Sequence, residues 1–213
     1  MKTVKGPLKV DCIYRRLDDN FLDPKAFNKD SVIGVPGLFK CWLKKNVGII
    51  NAIGTGVADD KVVYSYVNKM IVYYLGEQPI LNQVETYLCH DKKQREYVLE
   101  NMSRLVVKPA NASGGYGIMI GPKASTKERA EVAEKIKKNP REYIAQPLET
   151  LSTAPTIIEK NIEPRHLDLR PFVLSGKTSY VTTGGLTRVA LRKGSTIVNS
   201  SQGGGSKDTL IVE

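Results

Sequence analysis

Arg104-Leu-Val-Val-Lys108, Pro109, Asn111-Ala-Ser-Gly-Gly-Tyr-Gly117 and Ile118-Met-Ile120 follow one another in the chain. They read as one hairpin: a β-branched strand, a proline that stops it, a glycine-rich tip and a returning strand. Downstream, Ser125-Thr-Lys-Glu128 has capping-box spacing, which predicts a helix running to about Asn139 and ended by Pro140. Residues 142–146 then resume strand character. Upstream, residues 85–89 read as a brief strand and residues 91–101 as a charged helix.

Beyond this centre the two ends differ. Residues 153–213 read almost wholly β, with strands over 156–159, 166–174, 178–182 and 186–191. The first third alternates β-type runs (8–16 and 47–52) with helical ones (35–46 and 57–75), the pattern of α/β packing. The run 8–16 ends in Arg15, Arg16, Asp18 and Asp19, a polar strand end of the kind where ligands often sit. These patterns predict an α+β chain with an α/β first part, divided into 1–80 and 81–213.

The composition narrows the class. Of 213 residues, 41% are hydrophobic and 25% charged, which fits a packed core and excludes a disordered tail. Three scattered cysteines, Cys12, Cys41 and Cys89, cannot all pair within the chain and form no zinc spacing, which points to a reducing, cytoplasmic setting. No apolar run approaches the ~20 residues of a membrane span. With 32 Lys+Arg against 22 Asp+Glu the net charge is +10. That attracts anions generally, nucleic acid and nucleotide polyphosphate alike.

Local motifs remove several chemistries. Gly54-Thr-Gly56 follows a strand and opens a helix, but Asp59 stands where a dinucleotide fingerprint needs its third glycine, and an acid there repels a pyrophosphate. Gly203-Gly-Gly-Ser-Lys207 lacks the glycine that precedes the lysine in a Walker-type loop. With only His90 and His166, neither in a hydrolase signature, nucleophilic triads are disfavoured. What remains is Lys108 beside the glycine tip, where backbone N–H groups can approach phosphate and the lysine adds a point charge. The same pattern also builds ligand-free hairpins, and the local sequence leaves both readings open. In His166-Leu-Asp-Leu-Arg170, alternation puts His166, Asp168 and Arg170 on one face and Leu167 and Leu169 toward the core.

Taken together, Ile13-Tyr-Arg-Arg-Leu-Asp-Asp19, Asn51-Ala-Ile-Gly-Thr-Gly-Val-Ala-Asp-Asp-Lys61, Val106-Val-Lys-Pro109, Ser113-Gly-Gly-Tyr-Gly117, Tyr143-Ile-Ala-Gln-Pro147, Asp168-Leu-Arg-Pro-Phe172, Gly184-Gly-Leu-Thr-Arg188 and Val198-Asn-Ser-Ser-Gln-Gly-Gly-Gly-Ser-Lys-Asp208 resemble the circularly permuted ATP-grasp proteins, relatives of glutathionylspermidine synthase. The likeness covers nearly the whole chain. It implies an ATP-grasp fold in which 1–80 is a substrate part and the lobes within 81–213 enclose ATP.

The resemblance also implies roles. Lys61 and Lys108 would hold the phosphates, and Ser113, Gly114, Gly115, Tyr116 and Gly117 would form a flap. Gln146, Pro147 and Leu148 would run along the adenine, while Arg170 and Arg188 would face the γ-phosphate and an acyl phosphate. Arg15, Arg16, Asp18, Asp168, Asn199, Ser200 and Ser201 would bind a small-molecule or peptide substrate carrying a carboxylate and an amine. The implied activity is an ATP-dependent, amide-forming carboxylate–amine ligase. The magnesium element of the family would lie upstream of where this chain begins, so no metal ligand is assigned here and the chain reads as a fragment, inactive alone. The alternatives are a catalytically silent ATP-grasp relative and, from the charge excess, a basic nucleic-acid-binding module, which the low aromatic content disfavours.

Overall fold

The computed structural model describes residues 1–112, 115–199 and 203–209. The chain forms two compact units, Met1–Gln83 and Val84–Glu213. In the first, β1 (Lys2–Thr3) and β2 (Gly6–Pro7) make a small antiparallel hairpin. Next come β3 (Cys12–Tyr14), α1 (Asp19–Leu22), α2 (Leu38–Leu43) and β4 (Gly48–Ile50). β3 and β4 pair in parallel, with Ile13 opposite Ile49. A 3-10 turn over Thr55–Asp59 leads to α3 (Lys61–Tyr64) and α4 (Val67–Leu75).

Two expectations are corrected in this unit. The helical run 57–75 is three pieces, because the Asp60 side chain accepts from Val62 N and starts a fresh helix, and the Ser65 hydroxyl donates back to Val62 O at its end. Asp18 and Asp19 do not end a strand: Asp18 caps α1 by accepting from Asn20 N, and Asp19 opens it. The loop before α2 is pinned by Asp23, only 1% exposed, which accepts from the backbone N–H groups of Lys25, Gly37 and Phe39 at 2.9–3.1 Å. Burial pushes the Asp23 carboxyl up. The Gly37, Lys25 and Phe39 amides, aided by the Lys25 charge, outweigh burial and hold it below the ordinary carboxylate range.

The second unit runs β5 (Tyr87–Leu88), α5 (Lys92–Asn101), β6 (Leu105–Pro109), β7 (Met119–Ile120), α6 (Thr126–Lys138), β8 (Tyr143–Pro147), β9 (Thr153–Ile158), β10 (Asn161–Ser175), β11 (Ser179–Ala190) and β12 (Gly204–Lys207). The expected hairpin is β6–β7, and the capping box of α6 is present: Ser125 Oγ accepts from Glu128 N while the Glu128 carboxylate accepts from Ser125 N. β5, β8, β6 and β7 form one antiparallel sheet in that order. Its core-facing residues Leu105, Val107, Met119 and Ala145 pack with Cys89, Val98 and Met102 and with Ile136 of α6. Each large side chain buried there contributes about 1.5–3 kcal/mol. Burial also pushes the Cys89 thiol up to about 11, against the opposing charge of Arg95, so it packs as a small apolar group.

The other sheet is antiparallel in the order β12-β11-β10-β9. Its edge strands are tied by Lys207, whose ammonium donates to Pro155 O and Thr156 Oγ1. The runs expected as two strands, 178–182 and 186–191, lie almost wholly within the single strand β11. Gly184 and Gly185 sit at an irregularity of register instead of a break: Pro171 pairs with Gly185 but Val173 with Val181. Leu169 does not face a core; it is 59% exposed, and Arg165 is the buried side chain of β10. Arg165 satisfies itself through Leu191 O, Pro164 O and Glu163 Oε2.

Candidate functional site

Period-two alternation places the chemistry. Leu105 and Val107 on β6, and Ala145 on β8, point into the core, so Val106, Lys108 and Gln146 are turned to the opposite face. On that face a cavity of about 690 Å³ opens within the second unit. Lys108, Gly115, Gln146, Pro147, Leu148, Arg170, Arg188 and Asn199 all line it. These eight sequence-selected residues come from both sheets and the connections between strands. The remaining wall is largely apolar, with Val106, Ile118, Ile120 and Val198, and Glu149 on the β8–β9 connection is its carboxylate.

Register explains why the cations converge. Val106 lies directly opposite Gln146, so Lys108 is the diagonal neighbour of Gln146, and its ammonium donates to Gln146 Oε1 at 2.7 Å. On the other sheet Asp168 lies directly opposite Arg188, with Arg170 two residues along the same face. The Asp168 carboxylate accepts from Nε and Nη2 of Arg170, the shortest contact being 2.8 Å. That holds the guanidinium fork while Nη1 has no partner among the described residues. Arg188 donates through Nη1 to Asn199 Oδ1 at 3.3 Å, and its Nε is buried without a hydrogen-bond partner among the described residues. A buried guanidinium N–H left without an acceptor costs free energy.

The tip of the β6–β7 hairpin is placed in part. Gly115 and Gly117 both have left-handed φ angles, 80° and 71°, which favour glycine. A Cβ on Gly117 would also press on Pro109. Tyr116 is 71% exposed. Ser113, Gly114, Ser200 and Ser201 lie outside the described residues.

The other predicted residues belong to the first unit. Arg15, Arg16, Asp18, Asp19, Asn51, Thr55, Gly56 and Asp59 are among those lining a cavity of about 420 Å³ there. Arg15 is spent internally: it donates to Asn51 O, Leu17 O and Ala52 O and pairs with Asp19 at 2.6 Å, clamping the end of β3 to the end of β4. The Arg16 and Asp59 side chains have no hydrogen-bond or ion-pair partner among the described residues. Lys61 begins α3 and does not line that cavity; burial lowers its pKa, opposed by the charges of Asp60 and Asp59.

Thr86 was not singled out in the sequence, although it completes the hydrogen bonding of Gln146. It fell within the brief strand expected over residues 85–89, and nothing else in the sequence marked it. Among the described residues, no group of three or more His, Cys, Asp or Glu side chains is placed to hold a metal ion. Among the described residues lining the cavity, three cations, Lys108, Arg170 and Arg188, stand against one carboxylate, Glu149.

The chain matches the family described as circularly permuted ATP-grasp type 2 over residues 1–190. It belongs to this family. The assignment accords with the mixed helix and sheet architecture. An uncharacterized protein of Synechocystis sp. is 58% identical across the whole chain, which covers 44% of that protein. An uncharacterized protein of Mycobacterium tuberculosis H37Rv is 54% identical across the whole chain, which covers 39% of it. A Frankia casuarinae protein bearing the name "Putative glutamate--cysteine ligase 2-2" is 50% identical over 95% of the chain, which covers 23% of it. The chain thus spans less than half the length of these curated relatives. No helix among the described residues is long and apolar enough to cross a membrane.

Proposed function

We propose that this chain carries the nucleotide-binding cavity of an ATP-dependent carboxylate–amine ligase. The observation behind the reading is that Lys108, Arg170 and Arg188 converge on one cavity whose remaining wall is largely apolar. Val106, Ile118, Ile120 and Leu148 suit the faces of an adenine. Beyond Pro147, where β8 ends, the backbone of Leu148 is released from the ladder and can read the base edge. The phosphates then extend toward the three cations.

The ligase chemistry brings a carboxylate up to a polyphosphate, so anion meets polyanion. Fixed cations in a partly enclosed cavity offset that repulsion without the reorganisation that water would need. Lys108 supplies a point charge, and Arg170, oriented by Asp168, directs its planar fork. Arg188 carries a buried N–H toward charge that develops on phosphoryl transfer to the carboxylate. An amine then displaces phosphate from the acyl phosphate, giving the amide. ATP-grasp proteins generally use magnesium with ATP, and the described residues supply it no ligand cluster. The name of the Frankia relative supports the reaction class, and because the match covers 23% of that protein it does not choose the acid or the amine.

The test is a melting curve with and without Mg-ATP. At 100 times Kd, binding adds about 2.7 kcal/mol, which for a chain of this length is a rise of about 5–10 °C. No rise with any nucleotide overturns the reading. A rise without turnover in the full-length protein favours the silent relative.

A further inference from the structure

Three polar side chains, from β6, β8 and the residue before β5, form a directed hydrogen-bond chain that starts at the cavity wall. Lys108 Nζ donates to Gln146 Oε1 at 2.7 Å, Gln146 Nε2 donates to Thr86 Oγ1 at 2.9 Å, and Thr86 Oγ1 donates to Val84 O at 3.0 Å. Gln146 is 9% exposed, so its amide is ordered largely by these partners. The direction of every link is forced. A carbonyl only accepts, so the single hydroxyl proton of Thr86 is committed to Val84 O. The Thr86 oxygen must then accept, and only the NH₂ end of Gln146 can supply that proton. Oε1 is thereby turned to Lys108, an ammonium that can only donate. With the amide reversed, NH₂ would face the ammonium and Oε1 would face a hydroxyl whose proton is already spent.

We infer that Thr86 is a positioning residue for Lys108, acting through the Gln146 amide, so that a backbone carbonyl at Val84 sets the aim of the phosphate-facing ammonium. This rests on the reading of the cavity as a polyphosphate site. It also gives Gln146 a different task from the one its motif suggests: its side chain is turned to the lysine, whatever its backbone does for a base. A lysine is a flexible stem with three equivalent donors, and an acceptor of fixed orientation removes part of that freedom before a ligand arrives.

The experiment uses the whole chain with Thr86→Val, which keeps the shape and removes the hydroxyl, and Thr86→Ser, which restores it. Binding of a non-hydrolysable ATP analogue is compared with binding of adenosine, and the side-chain signal of Lys108 is followed by NMR, assigned by its loss in Lys108→Met. Thr86→Val is expected to weaken the analogue about three- to tenfold, to leave adenosine within twofold, and to shift the Lys108 signal. Thr86→Ser should return all three to wild type. In the Lys108→Met background Thr86→Val should change analogue binding by less than twofold, since coupled residues are non-additive. An unmoved Lys108 signal, equal losses for analogue and adenosine, or no rescue by serine overturns the inference. If wild type binds neither the analogue nor adenosine, the polyphosphate reading fails, while the Lys108 signal still decides whether Thr86 aims the lysine.

Discussion

Replacing Arg188 by Met should move stability and ligand affinity in opposite directions. In the free protein Arg188 Nε is buried without a partner among the described residues, and the Nη1 contact to Asn199 is long at 3.3 Å. An unsatisfied buried donor costs about 1–3 kcal/mol, and a long hydrogen bond returns at most about 1 kcal/mol. Asp168, opposite Arg188 in register, keeps its 2.8 Å partner Arg170, so removing Arg188 does not strand a charge. Met fills much of the volume of the arginine stem. The net expectation is a gain of about 1 kcal/mol, or a rise in Tm of about 2–4 °C. ATP loses a charge-assisted contact worth about 1.5–3 kcal/mol, which weakens binding about ten- to hundredfold. The assay is differential scanning fluorimetry of the apo forms together with calorimetric ATP titration. A fall in apo Tm with unchanged ATP affinity would show Arg188 to be a structural side chain and would refute this use of its orphaned N–H.

Asp23→Asn should destabilise the protein by about 1–3 kcal/mol at pH 7, because one amide nitrogen must face backbone N–H groups that now find a carboxylate oxygen. The folded pKa of Asp23 lies below the ordinary value, so its contribution is complete above about pH 3.9 and drains away as the pH falls through the folded value. The Tm gap between wild type and variant should therefore narrow below about pH 3.9; a constant gap contradicts the charge argument. Gly121→Ala should cost about 3 kcal/mol or more, seen as a Tm loss of about 6–12 °C, since a Cβ there would overlap the backbone carbonyl oxygens of Met102 and Leu105. A melt within 2 °C of wild type would show that the β6–β7 region relaxes freely.

What was legible in the sequence was local. The hairpin around Lys108, the capping box at Ser125 and the strand ending at Pro147 depend on residues a few positions apart, and each stands within a residue or two of its expected place. The shared face of Asp168 and Arg170 followed from alternation alone. The failures have a different character. Asp18 and Asp19 were weighed as charges before they were weighed as helix-starting side chains, so the short helix that they open was not foreseen. Leu169 was assigned to a core by pattern, but whether a sheet face is covered depends on what packs against it, and here Arg165 is the buried residue. The link from Lys108 through Gln146 to Thr86 joins residues 38 and 60 positions apart, a relation that only the register of β8 against β6 and β5 reveals.

The most direct test of the account is a crystal structure of the chain grown with Mg and a non-hydrolysable ATP analogue. The base is expected between Val106, Ile118, Ile120 and Leu148. Phosphate oxygens are expected within hydrogen-bond distance of Lys108 Nζ, Arg170 and Arg188 Nε. Nucleotide bound elsewhere, or phosphates directed away from all three cations, would contradict it.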